Sequence, residues 1–133
     1  MSSDIYVRAF ADGAVADRDG LAVRRLLLEA CGFRVEADGS LRVAGAEVRG
    51  LPVAGRPFAG LQFSRSSVPA FDLIVAVARA GGMVILPVGC AACIVAEEQR
   101  AHLPADIAGD GVELVDSGAA LAAVVQRALP SSP

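Results

Sequence analysis

Residues 66–88 constrain the fold more than any other stretch, because they describe a buried helix that ends at a glycine pair and leads into a buried strand. Ser67 is a suitable N-cap, since its hydroxyl can accept a hydrogen bond from a free amide of the first helical turn. Apolar side chains follow at helical spacing, and Gly81-Gly82 provides the left-handed residue with which many helices end. Residues 83–86 form a continuous apolar run, which is typical of a strand buried on both faces. We therefore predict that the rest of the chain packs around this helix and strand.

The other segments predict a mixed α/β domain. Alternating apolar residues indicate strands over 4–10, 60–64, 90–95 and 112–115, an antiparallel hairpin over 33–48 with its turn at Asp38-Gly39, helices over 20–30 and 97–103, and a final helix capped by Ser117. The first half of the chain therefore favours an antiparallel hairpin, and the second half favours parallel strand–helix units. Together, these segments predict an α/β fold that consists of a mixed β-sheet and about four helices.

Two side-chain expectations follow from these patterns. The first strand carries aromatic residues on its second face, which indicates an edge strand or an interface. In the helix over 20–30, the residues expected to face the core are Leu21, Leu27, Leu28 and Cys31.

Length and composition indicate one soluble domain. The chain has 133 residues, of which 54% are hydrophobic, and this is enough for a single core. We interpret 1–133 as a single globular domain, 50–60 as an internal loop and 130–133 as a tail. No apolar run reaches the ~18 residues that a membrane span needs, and no signal peptide is recognisable, so we expect a cytoplasmic protein with no membrane partner. The net charge of −3, without a basic block, argues against a nucleic-acid partner.

Cys90-Ala-Ala-Cys93 has the spacing of redox and metal-binding motifs. A redox pair would place its first cysteine at a helix N-terminus, whereas the residues that follow resemble a strand. A metal site would need further ligands, for which His102 and Cys31 are the candidates. We favour the interpretation that these are small residues packed beneath a loop, and keep a thiol-redox or metal-binding function as the alternative.

His102 closes the segment 97–103 just before a proline. Glu98 lies one helical turn before it, so the two could form a helix-surface contact. We favour the interpretation that His102 meets the negative end of the helix dipole. The sequence contains no phosphate-binding loop and no nucleophile elbow, so we expect neither enzymatic activity nor a cofactor.

Several short segments are similar to a group of small bacterial proteins. The segments are Ile5-Tyr6 with Phe10 and Gly13, Asp72-Leu73, residues 82–87, Glu97-Glu98, His102-Leu103-Pro104 with Asp106, and Val115-Asp116-Ser117-Gly118. In size, acidity and lack of a catalytic motif, such proteins resemble the immunity proteins that neutralise a cognate bacterial toxin by covering its active site.

The resemblance implies a protein partner and a rigid binding surface with an acidic or aromatic face. The residues that suit such a face are Tyr6, Phe10, Asp12, Asp17 and Asp19. An accessory subunit of a larger assembly is a further alternative.

Overall fold

The computed structural model describes residues 4–18, 20–30, 36–38, 40–43, 46–53, 56–64 and 68–128. Over these residues, the chain has the predicted α/β fold, in which helices pack on both faces of a mixed sheet. The helices are α1 (Leu21–Ala30), α2 (Val68–Gly81), a 3-10 helix (Glu97–His102), α3 (Ala105–Gly109) and α4 (Gly118–Ala128). The strands are β1 (Ile5–Arg8), β2 (Phe10–Ala11), β3 (Ala14–Val15), β4 (Leu41–Val43), β5 (Ala46–Arg49), β6 (Gly60–Ser64), β7 (Val84–Pro87), β8 (Ala92–Ile94) and β9 (Val112–Leu114).

The first strand lies in the middle of the main sheet, not at its edge. The strand order is β4-β5-β6-β1-β7-β8-β9, and Tyr6 of β1 has Gln62 of β6 on one side and Leu86 of β7 on the other. Of the two alternatives for this strand, the edge position was therefore wrong, because later segments pair with both sides of β1, whereas the interface stays a prediction. Strands β2 and β3 form a separate short hairpin that turns at Asp12-Gly13.

The central helix and strand lie where the sequence predicts them. Helix α2 ends at Gly81, and Gly82 follows with a φ of 62°, the left-handed conformation expected after the helix. The predicted N-cap, Ser67, lies outside the described residues. Strands β6 and β7 both pair antiparallel to β1, so α2 connects two strands that run in the same direction with β1 between them. Strands β8 and β9 are adjacent and parallel.

The two faces of the main sheet carry different layers. On one face, α1, α2 and α4 cover a large core that includes Ile5, Val7, Phe63, Ile74 and Leu121. On the other face, a smaller cluster lies over β7, β8 and β9, beneath the 3-10 helix and α3. Its buried members are Phe10, Val84, Ala92, Ile94 and Leu103. The helical layer on this second face therefore packs over only part of the sheet.

The described part of the predicted hairpin contains a turn at the predicted position and a further pair of strands. Glu36 N donates to Ser40 O at 2.8 Å across Asp38, whose carboxylate accepts hydrogen bonds from the amide and the hydroxyl of Ser40. Leu41 pairs with Val48 and Val43 pairs with Ala46, so β4 and β5 are antiparallel. The first half of the predicted hairpin, residues 33–35, lies outside the described residues. The predicted strand pairing across the Asp38-Gly39 turn therefore stays a prediction.

Helix α1 presents a different stripe to the core from the one expected. Val23 and Leu27, four residues apart, are buried, whereas Leu21 is 59% exposed and Leu28 is half-buried. Leu21 was predicted wrongly because it precedes Val23 by two residues, which places it about 200° around the helix from the buried stripe. Cys31 lies outside the described residues.

The remaining segments agree with the sequence in outline. Residues 50–53 and 56–59 form neither helix nor strand, apart from a single bridge between Phe58 and Arg18, and β6 begins at Gly60. The hydroxyl of Ser117 accepts a hydrogen bond from Ala120 N at 3.1 Å, which confirms the predicted cap of the last helix. Helix α3, only five residues long, was missed because so short a segment shows no periodicity. The predicted tail lies outside the described residues.

None of the helices in the described segments has both the length and the apolar composition required to cross a lipid bilayer.

Candidate functional site

The described residues among those predicted to bind a partner differ in their exposure. Tyr6 lies on the face of the sheet opposite the large core, whereas Phe10 is only 6% exposed and packs in the smaller cluster. The ring of Phe10 is therefore not available to a partner, which corrects the prediction for this residue. Asp12, at the tip of the β2–β3 hairpin, and Asp17 are exposed. Asp19 lies outside the described residues.

Tyr6 belongs to a polar area that we call the open sheet face. Alternation along β1 sends Ile5 and Val7 into the large core and leaves Tyr6 and Arg8 on the opposite face. The strand register then places polar side chains of β4, β5 and β6 beside them. The members of the open sheet face are Tyr6, Arg8, Arg42, Glu47, Arg49, Gln62 and Ser64.

Arginines dominate the charge of the open sheet face. Arg49 Nε donates to Glu47 Oε1 at 2.7 Å, and this hydrogen bond raises the pKa of Arg49 above its ordinary value. Arg42 lies 3.8 Å from a carboxylate oxygen of Glu36. The guanidinium of Arg8 lies over the ring of Tyr6, 5.4 Å from the ring centre. Among the described residues, Arg8 has no ion-pair partner, so its charge is stabilised by the aromatic ring and by water.

Polar contacts hold this surface in place. Gln62 Nε2 donates to Ser64 Oγ at 3.1 Å, and Glu47 and Ser64 face each other across β5 and β6. Their backbones are part of a continuous antiparallel ladder from β4 to β7. The backbone of residues in such a ladder is already ordered, so it loses little further freedom when a partner binds, which favours recognition.

The two described cysteines have the properties of packed thiols. Cys93 lies in β8 and its side chain is buried in the large core, and Cys90 is half-buried in the turn that precedes β8. Burial, reinforced by the nearby Glu113 carboxylate, raises the pKa of Cys93 to about 12. Burial also raises the pKa of Cys90. The raised pKa values favour the protonated thiol at both positions, which disfavours a role as a nucleophile or a thiolate ligand.

The thiol and metal alternative gains no support from the geometry. Within the part of the chain that the structure describes, no three His, Cys, Asp or Glu side chains lie close enough together to hold a metal ion. Cys90, Cys93 and His102 are therefore not assembled into a ligand set.

His102 contacts the β2–β3 hairpin, ninety residues earlier in the chain. Asp12 N donates to His102 Nδ1 at 3.2 Å, and Gly13 N donates to the carbonyl of His102 at 3.0 Å. Since Nδ1 accepts a hydrogen bond, the neutral imidazole carries its proton on Nε2. His102 does end the 3-10 helix, as expected, but its partner is the hairpin tip and not Glu98.

A cleft lies beside this contact, with a volume of about 520 Å³. We call it the hairpin cleft. Its polar and charged lining side chains are Arg18, Arg79, Glu98, Gln99 and His102. Sequence reasoning missed Arg18 and Arg79, because 61 residues separate them and neither belongs to a motif.

Gln99 builds one wall of the hairpin cleft. Its Oε1 accepts from Val95 N at 2.7 Å and from Ala96 N at 3.2 Å, while its Nε2 donates to Met83 O at 2.9 Å. The side chain thus ties the start of the 3-10 helix to the residue that precedes β7. All three bonds connect Gln99 to backbone groups, so Gln99 shapes the cleft.

Comparison with known proteins identifies no relative. No protein-family model matches the chain, and no curated protein or solved structure is detectably similar to it. The function must therefore be argued from the surfaces of this molecule.

Proposed function

We propose that this chain is a binding protein that neutralises a bacterial toxin through its open sheet face. The observation that carries the proposal is the stacked pair of Tyr6 and Arg8 on the central strand, with Arg49 on the same face. The toxin as the partner rests on the family resemblance alone. The proposal implies that the protein acts in the cytoplasm of the cell that makes the toxin.

The composition of the open sheet face supports a protein partner. Tyrosine and arginine are enriched among the residues that dominate binding energy at protein interfaces. The planar guanidinium pairs with carboxylates through two parallel hydrogen bonds. Arg8 stacks on Tyr6, so it is already oriented and loses less freedom on binding than an unsupported arginine would.

The charge of the surface selects the kind of partner. The chain has a net charge of −3, but its open sheet face carries three arginines and one glutamate, Glu47. A partner that presents carboxylates would be attracted to this face and repelled by the rest of the surface. The partner surface that we propose is therefore acidic, with an apolar or aromatic centre to meet Tyr6.

Co-expression with the product of the adjacent gene tests the proposal. If that product is a toxin, the wild-type chain restores growth and co-purifies with it. The variants Tyr6→Ala and Arg8→Glu each lose growth rescue, because loss of one dominant interface residue costs about 2 kcal/mol or more, roughly thirtyfold in Kd.

The matched control is Arg56→Glu, which makes the same charge change at an exposed position of the loop before β6. We expect this variant to restore growth as fully as the wild-type chain does. The proposal fails if Tyr6→Ala and Arg8→Glu both fold and both rescue growth as well as the control does. Co-purification without growth rescue would instead indicate an accessory subunit that uses the same face.

A further inference from the structure

The hairpin cleft brings together two arginines that form no ion pair with the described residues. Arg18 lies between β3 and α1, and Arg79 lies in the last turn of α2. Both side chains line the cleft, but neither takes part in an ion pair with any described residue. Two guanidinium groups at one concave site form a region of positive potential, which the low-dielectric walls of a cleft strengthen.

Backbone carbonyls position both guanidinium groups, and these described contacts use only some of the N–H donors. Arg18 donates from Nη1 to Asp17 O at 3.2 Å and from Nη2 to Phe10 O at 3.1 Å. Arg79 donates from Nη2 to Asp116 O at 2.7 Å. A guanidinium has five N–H donors, and the hydrogen bonds to described residues use two of them in Arg18 and one in Arg79. The carbonyls fix the orientation of the guanidinium groups without neutralising their charge.

Other lining groups extend the recognition surface. His102 carries its proton on Nε2 when neutral, because Nδ1 accepts from Asp12 N. Val84 and Val95 provide apolar lining, and Glu98 provides a carboxylate. A volume of about 520 Å³ lies within the range of small-molecule sites. The cleft thus combines cationic donors with an apolar wall.

We propose that the hairpin cleft binds a small organic anion, whose phosphate or carboxylate group is held by Arg18 and Arg79. The apolar wall would contact the rest of the ligand, and Glu98 would disfavour ligands that carry a second anionic group on that side. This site is separate from the open sheet face, and its occupancy does not depend on the proposed toxin-binding function.

Calorimetric titration of the full chain with phenyl phosphate and with benzoate tests the proposal. The two probes share an apolar ring and differ in the anionic group, so they separate phosphate from carboxylate recognition. We expect at least one of them to bind with a stoichiometry of one, and Arg79→Gln to weaken that binding about tenfold or more, since it removes a charge-assisted hydrogen bond.

The control variant is Arg56→Gln, an exposed arginine outside the cleft, which should bind as the wild type does. Arg18→Lys provides a second test, because it keeps the positive charge but loses the planar, paired N–H donors of the guanidinium. It should weaken binding less than Arg18→Gln does. The proposal is overturned if neither probe binds the wild type, or if Arg79→Gln and Arg56→Gln bind equally. It is also overturned if titration with sodium chloride at matched ionic strength gives the same binding heat as titration with the probe.

Discussion

The carboxylate of Asp72 accepts a hydrogen bond from the backbone amide of Gly118 at 2.8 Å, which joins α2 to the first residue of α4. The amides at a helix N-terminus have no partner within the helix, so a side chain from a neighbouring helix here takes the role of a cap. Ser117 caps the same terminus from within the chain. The Asp72-Leu73 segment and the segment 115–118, both part of the family resemblance, therefore meet in space.

Close approach at this contact makes Gly118 sensitive to even a small substitution. A Cβ at Gly118 would collide with the Asp72 carboxylate and lie 2.6 Å from Asp72 N. We predict that Gly118→Ala lowers the free energy of unfolding by about 2 kcal/mol, because α4 must move away from α2. Chemical denaturation measures the change. Gly109→Ala, where a Cβ meets nothing within 4 Å, is the matched control and should change stability by less than half as much.

The Asp72 side of the contact gives a separate prediction. Asp72→Ala should lower the free energy of unfolding by about 1 kcal/mol, as the loss of other helix caps does. Asp72→Asn keeps an oxygen acceptor and should lower the free energy of unfolding by less. Thermal and urea denaturation of the two variants provide the comparison. Equal losses for alanine and asparagine would show that the carboxylate does not act as a cap.

Gln99 satisfies three backbone groups at once, so its loss should be costly. We predict that Gln99→Ala lowers the free energy of unfolding by about 2–3 kcal/mol, because the amides of Val95 and Ala96 and the carbonyl of Met83 lose their partner. Urea denaturation measures the loss. Gln126→Ala, an exposed change on α4, is the control. A loss of under 0.5 kcal/mol, a size usual for surface substitutions, would contradict this role of Gln99.

The contact between Asp12 and His102 predicts a local effect. Asp12 has a φ of 53°, a left-handed conformation that is costly for most side chains, and its amide is held by His102 Nδ1. His102→Ala should lower stability by about 1 kcal/mol and loosen the β2–β3 hairpin. Amide hydrogen exchange at Asp12 and Gly13 should accelerate, while exchange in β1 stays slow. Unchanged exchange at the hairpin tip would contradict the contact.

The buried thiol of Cys93 predicts slow chemistry and a pH dependence. Because the pKa is raised from 9.0 to about 12, the thiolate fraction at pH 7.5 is about a thousandfold lower than for an ordinary cysteine. Alkylation by iodoacetamide, mapped by mass spectrometry, should therefore label Cys93 more slowly than Cys90. Rapid labelling of Cys93 in the native protein would contradict its burial.

The sign of the pH effect follows from the same shift. Below pH 9 the Cys93 thiol is protonated in both the folded and the unfolded chain, so its contribution to stability is constant. As the pH rises from 9 toward 12, the unfolded chain loses this proton and the folded chain keeps it. The free energy of unfolding should therefore fall across that interval, and Cys93→Ala should show a smaller fall.

Local patterns predicted the elements that dominate the fold. The apolar run before and after Gly81-Gly82 identified α2 and β7, and alternation identified β6 with Leu61 and Phe63 buried. These patterns are visible because each element repeats its buried positions at a fixed period. The turn signal at Asp38-Gly39 coincides with a hydrogen bond from Glu36 N to Ser40 O, but the pairing of β4 with β5 was not predicted, because a local turn preference does not determine which strands pair.

The two proposed surfaces could not be assembled from the sequence. Tyr6 was predicted to contact a partner, which stays a prediction, and its neighbours Arg49 and Gln62 come from strands that reach it only through the sheet order. Arg18 and Arg79 both line the hairpin cleft, although 61 residues separate them in the chain. Single polar residues leave no periodic signal, so their convergence becomes visible only in three dimensions.

The central claim is that the open sheet face binds a protein, and chemical-shift mapping tests it most directly. The 133-residue chain is small enough for complete assignment, and it would be titrated with an inactive variant of the proposed toxin partner. We predict that the largest shift changes cluster at Tyr6, Arg8, Arg49 and Gln62, with little change on α1. Shift changes confined to α1 or to the hairpin cleft, or none at all, would contradict the claim.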